Sequence, residues 1–240
     1  MKGQAKQCLV DYYRYRLELH AHSSPGSKCS ELSPQEIVER YVKHRYDAVV
    51  LTNHFMYEYY EGVSKEDAII QYYQDYKEMC ELGERNGLKI LLGAEVRFTE
   101  NMNDYLIYGV DRDVLSRVYD YFTKGVTVFR REIDLKKSVF IQAHPFRDPC
   151  FPITAQLLDG VEVFNLHPGH NSRIALAACY AKENNVPIIT AGSDLHYSPK
   201  GHSGASALRT ATLPQDSFEL AALLKSGDYI LEIGDCIILP

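Results

Sequence analysis

The chain has 240 residues, 45% hydrophobic, 24% charged and 11% aromatic, a balance that supports a buried core and excludes a disordered tail, a collagen-like repeat or a low-complexity scaffold. Twenty-six Lys and Arg against 32 Asp and Glu leave a net charge of −6, which speaks against a broad basic surface for duplex nucleic acid. No apolar run approaches the roughly 18 residues of a membrane helix, and residues 1–16 lack the apolar stretch of an export signal.

The six cysteines, Cys8, Cys29, Cys80, Cys150, Cys179 and Cys236, form no Cys-x-x-Cys pair. Reduced core or loop thiols in a cytoplasmic protein are therefore expected. No linker, charge block or internal repeat divides the sequence, so residues 1–240 are expected to form one domain.

In chain order, a strand is predicted at 16–21, followed by Ser33-Pro34-Gln35-Glu36, a capping signal for a helix running to about Tyr46. A strand at 47–52 comes next. Ser64-Lys65-Glu66-Asp67 then opens a helix that Gly87 should end, with Ile69, Tyr73, Tyr76 and Cys80 on its core-facing stripe. Further strands are predicted at 88–96, 104–110, 138–143, 159–164 and 186–191, and a last helix between Asp216 and Gly227. Seven strands alternating with helices make an α/β unit. If they run parallel, all their C-terminal ends share one face, where barrels of this kind place their chemistry.

Those ends are rich in metal-ligating groups. The first reads Glu18-Leu19-His20-Ala21-His22, and strand alternation points His20 and His22 to the same side. The second ends Leu51-Thr52-Asn53-His54, the third Gly93-Ala94-Glu95, the fifth Gln142-Ala143-His144-Pro145 and the seventh Gly192-Ser193-Asp194-Leu195-His196. The ordered set resembles the polymerase and histidinol phosphatase (PHP) family of metal-dependent phosphoesterases over residues 18–196, about three quarters of the chain. The resemblance implies a distorted, TIM-like parallel barrel of the (β/α)7 kind with two or three divalent cations at its mouth. By motif it implies His20, His22, Glu95 and Asp194 around a first cation, Glu95 bridging to a second with His144, and His54 and His196 at a third. Zn, Mn or Fe would suit this mixture of imidazole and carboxylate.

Two positions depart from the family pattern. No histidine lies between His54 and His144, where a further ligand is usual, and Asp104 is the expected substitute. The loop after His22 lacks the usual Asp or His; Cys29 and Glu31 lie in it, but the loop is longer than the common one and neither is expected to reach the cations.

A water flanked by two cations has its pKa lowered towards about 7, giving a hydroxide nucleophile with no covalent intermediate. Charge developing on phosphorus calls for arginines, and Arg147 and Arg97 are the candidate clamps; an ordinary ion pair is the alternative for Arg97. Glu95, Asp194, His196 and Arg147 are expected to carry the reaction. His196 is a possible proton donor only where it is not itself a ligand. Asn165 is expected to orient substrate or an imidazole, with Glu162 in support, although their opposite parity allows both to face the mouth only if the strand has ended.

Lys28, Arg173, Lys200 and Arg209 read as surface charge, and His167, His170 and His202 as solvated imidazoles in loops. His44 has no assigned role. Tyr57, Tyr59 and Tyr60 read as helix packing rather than a stacking platform. The expected activity is hydrolysis of a small phosphate monoester, as in the family's histidinol phosphatases. A phosphodiesterase acting on short nucleotides, or a metal-binding module without turnover, is the alternative.

Overall fold

Capping chemistry starts and stops the helices where the sequence places it. In the computed structural model, which describes residues 2–197 and 206–240, Ser33 caps Pro34–Lys43 in a full capping box with Glu36. Ser64 caps Lys65–Asn86, which Gly87 ends in the left-handed conformation. Asp216 and Gly227 bound Ser217–Ser226 likewise. The first of these helices stops at Lys43 rather than near Tyr46, since Arg45 takes a positive φ of 59°.

Numbered along the chain, the helices are α1 (Lys2–Tyr12), α2 (Pro34–Lys43), α3 (Tyr57–Tyr60), α4 (Lys65–Asn86), α5 (Arg112–Tyr119), α6 (Val126–Glu132), α7 (Ile174–Glu183) and α8 (Ser217–Ser226). The strands are β1 (Tyr15–Ala21), β2 (Ala48–Leu51), β3 (His54–Met56), β4 (Lys89–Arg97), β5 (Asp104–Tyr108), β6 (Val139–Gln142), β7 (Gly160–Asn165), β8 (Ile188–Gly192), β9 (Ser206–Thr210), β10 (Ile230–Ile233) and β11 (Cys236–Ile238). All seven predicted strands form, as β1, β2 and β4 to β8. The other four are short, and their sequences carry too little alternation to stand out.

The sheet runs β11-β10-β9-β1-β2-β4-β5-β6-β7-β8, with β3 beside β4. It is mixed, which corrects the expected seven-stranded parallel barrel: β5 is antiparallel to both β4 and β6, and β9, β10 and β11 extend the β1 edge antiparallel. The reason lies in the connection. Only residues 98–103 join β4 to β5, and a parallel crossover needs a dozen or more. The sheet curls until Leu195, just beyond β8, makes an isolated parallel bridge to Ala21 of β1.

Three apolar clusters hold this shape, one of them packing Ile37 and Tyr41 of α2 and Met79 of α4 with Val49 of β2. Leu17, Leu19, Val50, Leu106 and Ile141 pack with Leu220 and Leu224 of α8, while Phe55, Tyr72, Phe98, Tyr105, Phe129 and Phe140 pack strands against α4 and α6. The buried face of α4 carries Ala68, Ile69, Tyr72, Met79 and Gly83. Of the stripe expected there only Ile69 is fully buried; Tyr73, Tyr76 and Cys80 flank it. The cysteines are all free; none is fully buried, Cys29 and Cys150 lie in loops and Cys80 packs against the core. Among the described residues no helix is long and apolar enough to cross a membrane.

Candidate metal centre

β1 carries its ligands on a bulge. Glu18 faces Val49 and Ala21 faces Leu51, so Leu19 and His20 oppose a single residue of β2. The Glu18 side chain satisfies the freed amides: its Oε1 accepts from the backbone N–H of Leu19 (3.0 Å), His20 (2.9 Å) and Ser193 (3.0 Å). Glu18 thereby ties β1 to the segment after β8. Burial raises its carboxyl to about 7, against the lowering effect of the backbone bonds.

Around this frame five strands, β1, β3, β4, β6 and β8, bring ligand atoms on or just beyond them to one point. His20 Nε2 lies 3.4 Å from both Glu95 Oε1 and Asp194 Oδ1, and His22 Nε2 lies 3.2 Å from Glu95 Oε2 and 3.4 Å from Asp194 Oδ1. His54 Nδ1 is 3.0 Å from Glu95 Oε2 and His144 Nε2 3.1 Å from Glu95 Oε1. Glu95, on β4, thus meets four imidazoles. Five of these atoms, on His20, His22, His54, Glu95 and Asp194, are buried without a hydrogen-bond partner. Buried polar atoms are rarely left so. Divalent cations are the groups that a convergent set of imidazole nitrogens and carboxylate oxygens fits, and His20, His22, Glu95 and Asp194 offer ligand atoms within 4.8 Å of one another.

Further strain and charge are concentrated here. His144 and Asp194 have φ of 28° and 51°, left-handed conformations that cost a non-glycine residue on the order of 1–3 kcal/mol and recur at functional sites. Burial by itself would raise Glu95 and Asp194, but the surrounding imidazoles, His20 foremost, hold both well below the usual carboxylate range. Burial and the neighbouring His196 and His54 push His22 down to about 3. For His54 the Glu95 charge outweighs burial and raises it to about 9.

β7 resolves the parity of Glu162 and Asn165. Its register slips between Glu162 and Phe164, a bulge that turns both residues to the same side. Glu162 Oε1 then takes His20 Nδ1 at 2.8 Å, and Glu162 Oε2 accepts from His144 N (3.1 Å) and Asn165 Nδ2 (2.9 Å). Arg147 donates to Asn165 Oδ1 and Asp194 Oδ2, both at 2.5 Å, and its buried Nε has no partner. Beside them opens a cavity of about 470 Å³ whose walls include Arg147, His144, Asp194, His196 and Arg97.

The PHP domain family model matches residues 18–192. The chain belongs to the PHP domain family. No curated protein matches its sequence. Among solved structures, a two-domain protein of Bacteroides vulgatus containing a predicted PHP-like metal-dependent phosphoesterase aligns with a TM-score of 0.66 at 14% identity, over 93% of this chain and 66% of its own. This PHP chain therefore spans about two thirds of that protein. A protein of Bifidobacterium adolescentis provisionally described as a metal-dependent phosphoesterase aligns with a TM-score of 0.51 at 16% identity, over 78% of this chain and 89% of its own. An amidohydrolase from Chromobacterium violaceum, holding sulfate and no metal, gives 0.51 at 15% identity over 77% and 88%. At these identities the likeness is one of fold.

The fold gathers His20, His22, His54, Glu95, His144, Asp194 and His196 of the PHP motifs into one cluster. Asp104 arrives too, and the reversed β5 explains how: antiparallel pairing sets the start of that strand opposite Arg97 at the mouth. There Asp104 Oδ2 is 3.8 Å from His144 Nε2, but the carboxylate also forms a two-point pair with Arg97, both bonds 2.7 Å. Arg97 is therefore engaged in an ion pair.

His167 is buried, its ring 5.5 Å from that of His196, rather than solvated. Arg209 is buried against Glu232 at 2.6 Å, not surface charge, while Arg173 pairs with Asp148 and Lys28 lies over the Tyr59 ring. Tyr60 is buried and Tyr57 and Tyr59 pack against the core, as expected of helix packing. Lys200 and His202 lie outside the described residues.

Sequence reasoning missed Glu18, Cys150, whose sulfur is 3.8 Å from His144 Nδ1, and Ser27, whose Oγ is 2.9 Å from His22 Nδ1. The alternation that pairs His20 with His22 also includes Glu18, so that residue had a signal. The others reach the site through loops, which carry none.

Proposed function

We propose that this PHP domain is a hydrolase of small phosphate monoesters. The observation that carries the reading is the convergence of five buried, unpartnered ligand atoms on one point beside a cavity of about 470 Å³, a volume suited to a small molecule rather than a duplex. Divalent cations held by His20, His22, Glu95 and Asp194, with His144, Asp104, His54 and His196 around them, would supply Lewis acidity and a water acidic enough to attack phosphorus near neutral pH.

The chain's own groups do the rest. Glu162 fixes the His20 ring through Nδ1, leaving Nε2 free to ligate. Arg147, steadied by Asn165 and Asp194, lines the cavity and offers its guanidinium charge to a phosphate oxygen there. Arg97 also lines the cavity, paired with Asp104. His196 faces the same cavity and is placed to pass a proton to the leaving oxygen when its ring is not a ligand. A module serving structure alone would need one closed coordination sphere, whereas here the ligands border an open cavity.

The test compares a monoester and a diester of one aryl alcohol after reloading the purified chain with Mn²⁺ or Zn²⁺. Faster monoester turnover, abolished with metal loss in Glu95→Ala, is expected. Preferential diester turnover would replace this reading with a phosphodiesterase. No turnover by a stoichiometrically loaded chain would replace it with a non-catalytic module.

A further inference from the structure

The loop between β1 and α2 is fastened to the metal centre on both sides of Cys29. Ser27 Oγ accepts the His54 backbone N–H at 2.9 Å and lies 2.9 Å from His22 Nδ1. Ser30 Oγ bonds the carbonyls of His22 (2.9 Å) and His196 (3.1 Å), and the Glu31 N–H donates to the His196 carbonyl at 2.7 Å. Behind the loop, buried Asp75 of α4 takes the Ser23 hydroxyl at 2.6 Å and the Gly26 N–H at 2.9 Å. A segment held by so many bonds to the strand ends has little freedom to carry its side chains elsewhere.

Between those anchors stands a thiol. Cys29 lines the cavity together with His54 and His196. The Tyr59 hydroxyl approaches its sulfur at 3.6 Å, and the Tyr59 ring stands edge-on to His54 with centroids 5.9 Å apart. The ring nitrogens of His22, His54 and His196 lie within 4.8 Å of one another, and His22 Nε2 and His54 Nδ1 are buried without a hydrogen bond. A thiol sharing one cavity wall with the His54 and His196 imidazoles, whose ring nitrogens cluster with that of His22, offers a donor set of nitrogen and sulfur. On the other side of Glu95 the set is mixed with the carboxylate of Asp194.

We propose that Cys29 is a thiolate ligand, beside His54 and His196, to a cation at this end of the centre, and that this position prefers Zn²⁺ to Mn²⁺. Binding forms a sulfur–metal bond as the thiol proton leaves to solvent. Soft thiolate with imidazole suits zinc, whereas manganese favours carboxylate and water oxygens. The loop expected to leave Cys29 outside the site instead delivers it. The assignment rests on the cavity being a metal centre and is independent of which ester is cleaved.

Cobalt is the probe. Metal-free chain titrated with Co²⁺ should develop a near-ultraviolet sulfur-to-cobalt charge-transfer band together with the visible d–d bands. Cys29→Ser should lose the first and keep the second, and Cys150→Ser should keep both. Persistence of the charge-transfer band in Cys29→Ser, or wild-type chain that shows d–d bands alone, would overturn the assignment while leaving the phosphoesterase reading intact. Should Cys29→Ser not fold, peptide mapping of iodoacetamide-treated wild-type chain decides: Zn²⁺ should shield Cys29 and leave exposed Cys8 reactive, and equal labelling of Cys29 with and without Zn²⁺ would refute the proposal. In competition, wild-type chain should retain Zn²⁺ over Mn²⁺ at the thiolate position, and Cys29→Asp should reverse that order. A chain that binds cobalt through Cys29 yet hydrolyses no ester would uphold the ligand and sink the function.

Discussion

Replacing Glu162 by glutamine changes neither the size nor the shape of the side chain, yet no orientation of the amide can serve all of its partners. Glu162 Oε1 faces His20 Nδ1 at 2.8 Å, while Oε2 accepts from the His144 N–H and the Asn165 Nδ2 amide. An amide offers one oxygen and one NH₂. With the oxygen towards His144 and Asn165, the NH₂ faces His20 and favours the tautomer that protonates Nε2, the nitrogen needed by a cation. With the oxygen towards His20, two buried donors lose their acceptor, at about 1–3 kcal/mol each. Removing such a partner of a ligating imidazole typically lowers metal affinity about 10–100-fold, or about 1.4–2.7 kcal/mol. Equilibrium dialysis against a Zn²⁺ buffer, with metal content read by plasma mass spectrometry, measures the loss directly. Wild-type affinity in a folded Glu162→Gln chain would refute the argument that Glu162 sets the His20 tautomer.

Three other perturbations reach the same centre by different routes. A Cβ at Gly192 would stand 2.4 Å from His20 Cβ and 2.5 Å from Glu162 Oε1, so Gly192→Ala should displace the first ligand, destabilise the fold by about 1–3 kcal/mol and lower metal content; denaturant unfolding and metal analysis check both. Arg147→Lys keeps the charge but loses the guanidinium nitrogens beyond the Nη2 that bonds both Asn165 and Asp194, and kcat should fall about 100-fold, read in a steady-state ester assay. In the metal-free chain, burial lowers the His144 and His196 imidazoles, but hydrogen bonds to Cys150 and Glu95 in one case and to Asp194 in the other raise both to about 10. Groups raised above the ordinary 6.5 stabilise the fold fully below that pH and lose their contribution as pH rises through 10. Melting temperature of the metal-free chain should therefore fall across that window, and a flat profile would count against it.

Two elements show why part of this design is invisible along the chain. β5 reads as one more strand of a parallel set, and its direction depends on the connection at residues 98–103, too short for a crossover. Its reversal places Asp104 at the mouth and against Arg97. β7 reads with Glu162 and Asn165 on opposite faces until the bulge between Glu162 and Phe164 turns them together. Neither effect leaves a periodic trace, because a bulge is one residue long and pairing direction is a property of two strands. Cys29 is legible only as a cysteine in a loop; the bonds of Ser27 and Ser30 to distant strand ends decide where it points.

Local sequence was enough for β1, β2 and β4 to β8, for the N-caps of α2, α4 and α8, and for the identities of His20, His22, His54, Glu95, His144, Asp194 and His196 as ligand types, since alternation, capping and donor chemistry are properties of neighbouring residues. Tertiary structure alone decided the mixed direction of the sheet, the contact of one carboxylate with four imidazoles, and the supporting positions of Glu18, Glu162 and Cys29. Those depend on how separate segments meet once the sheet has curled back on itself, a matter of long-range packing and of hydrogen bonds that no single stretch of chain contains.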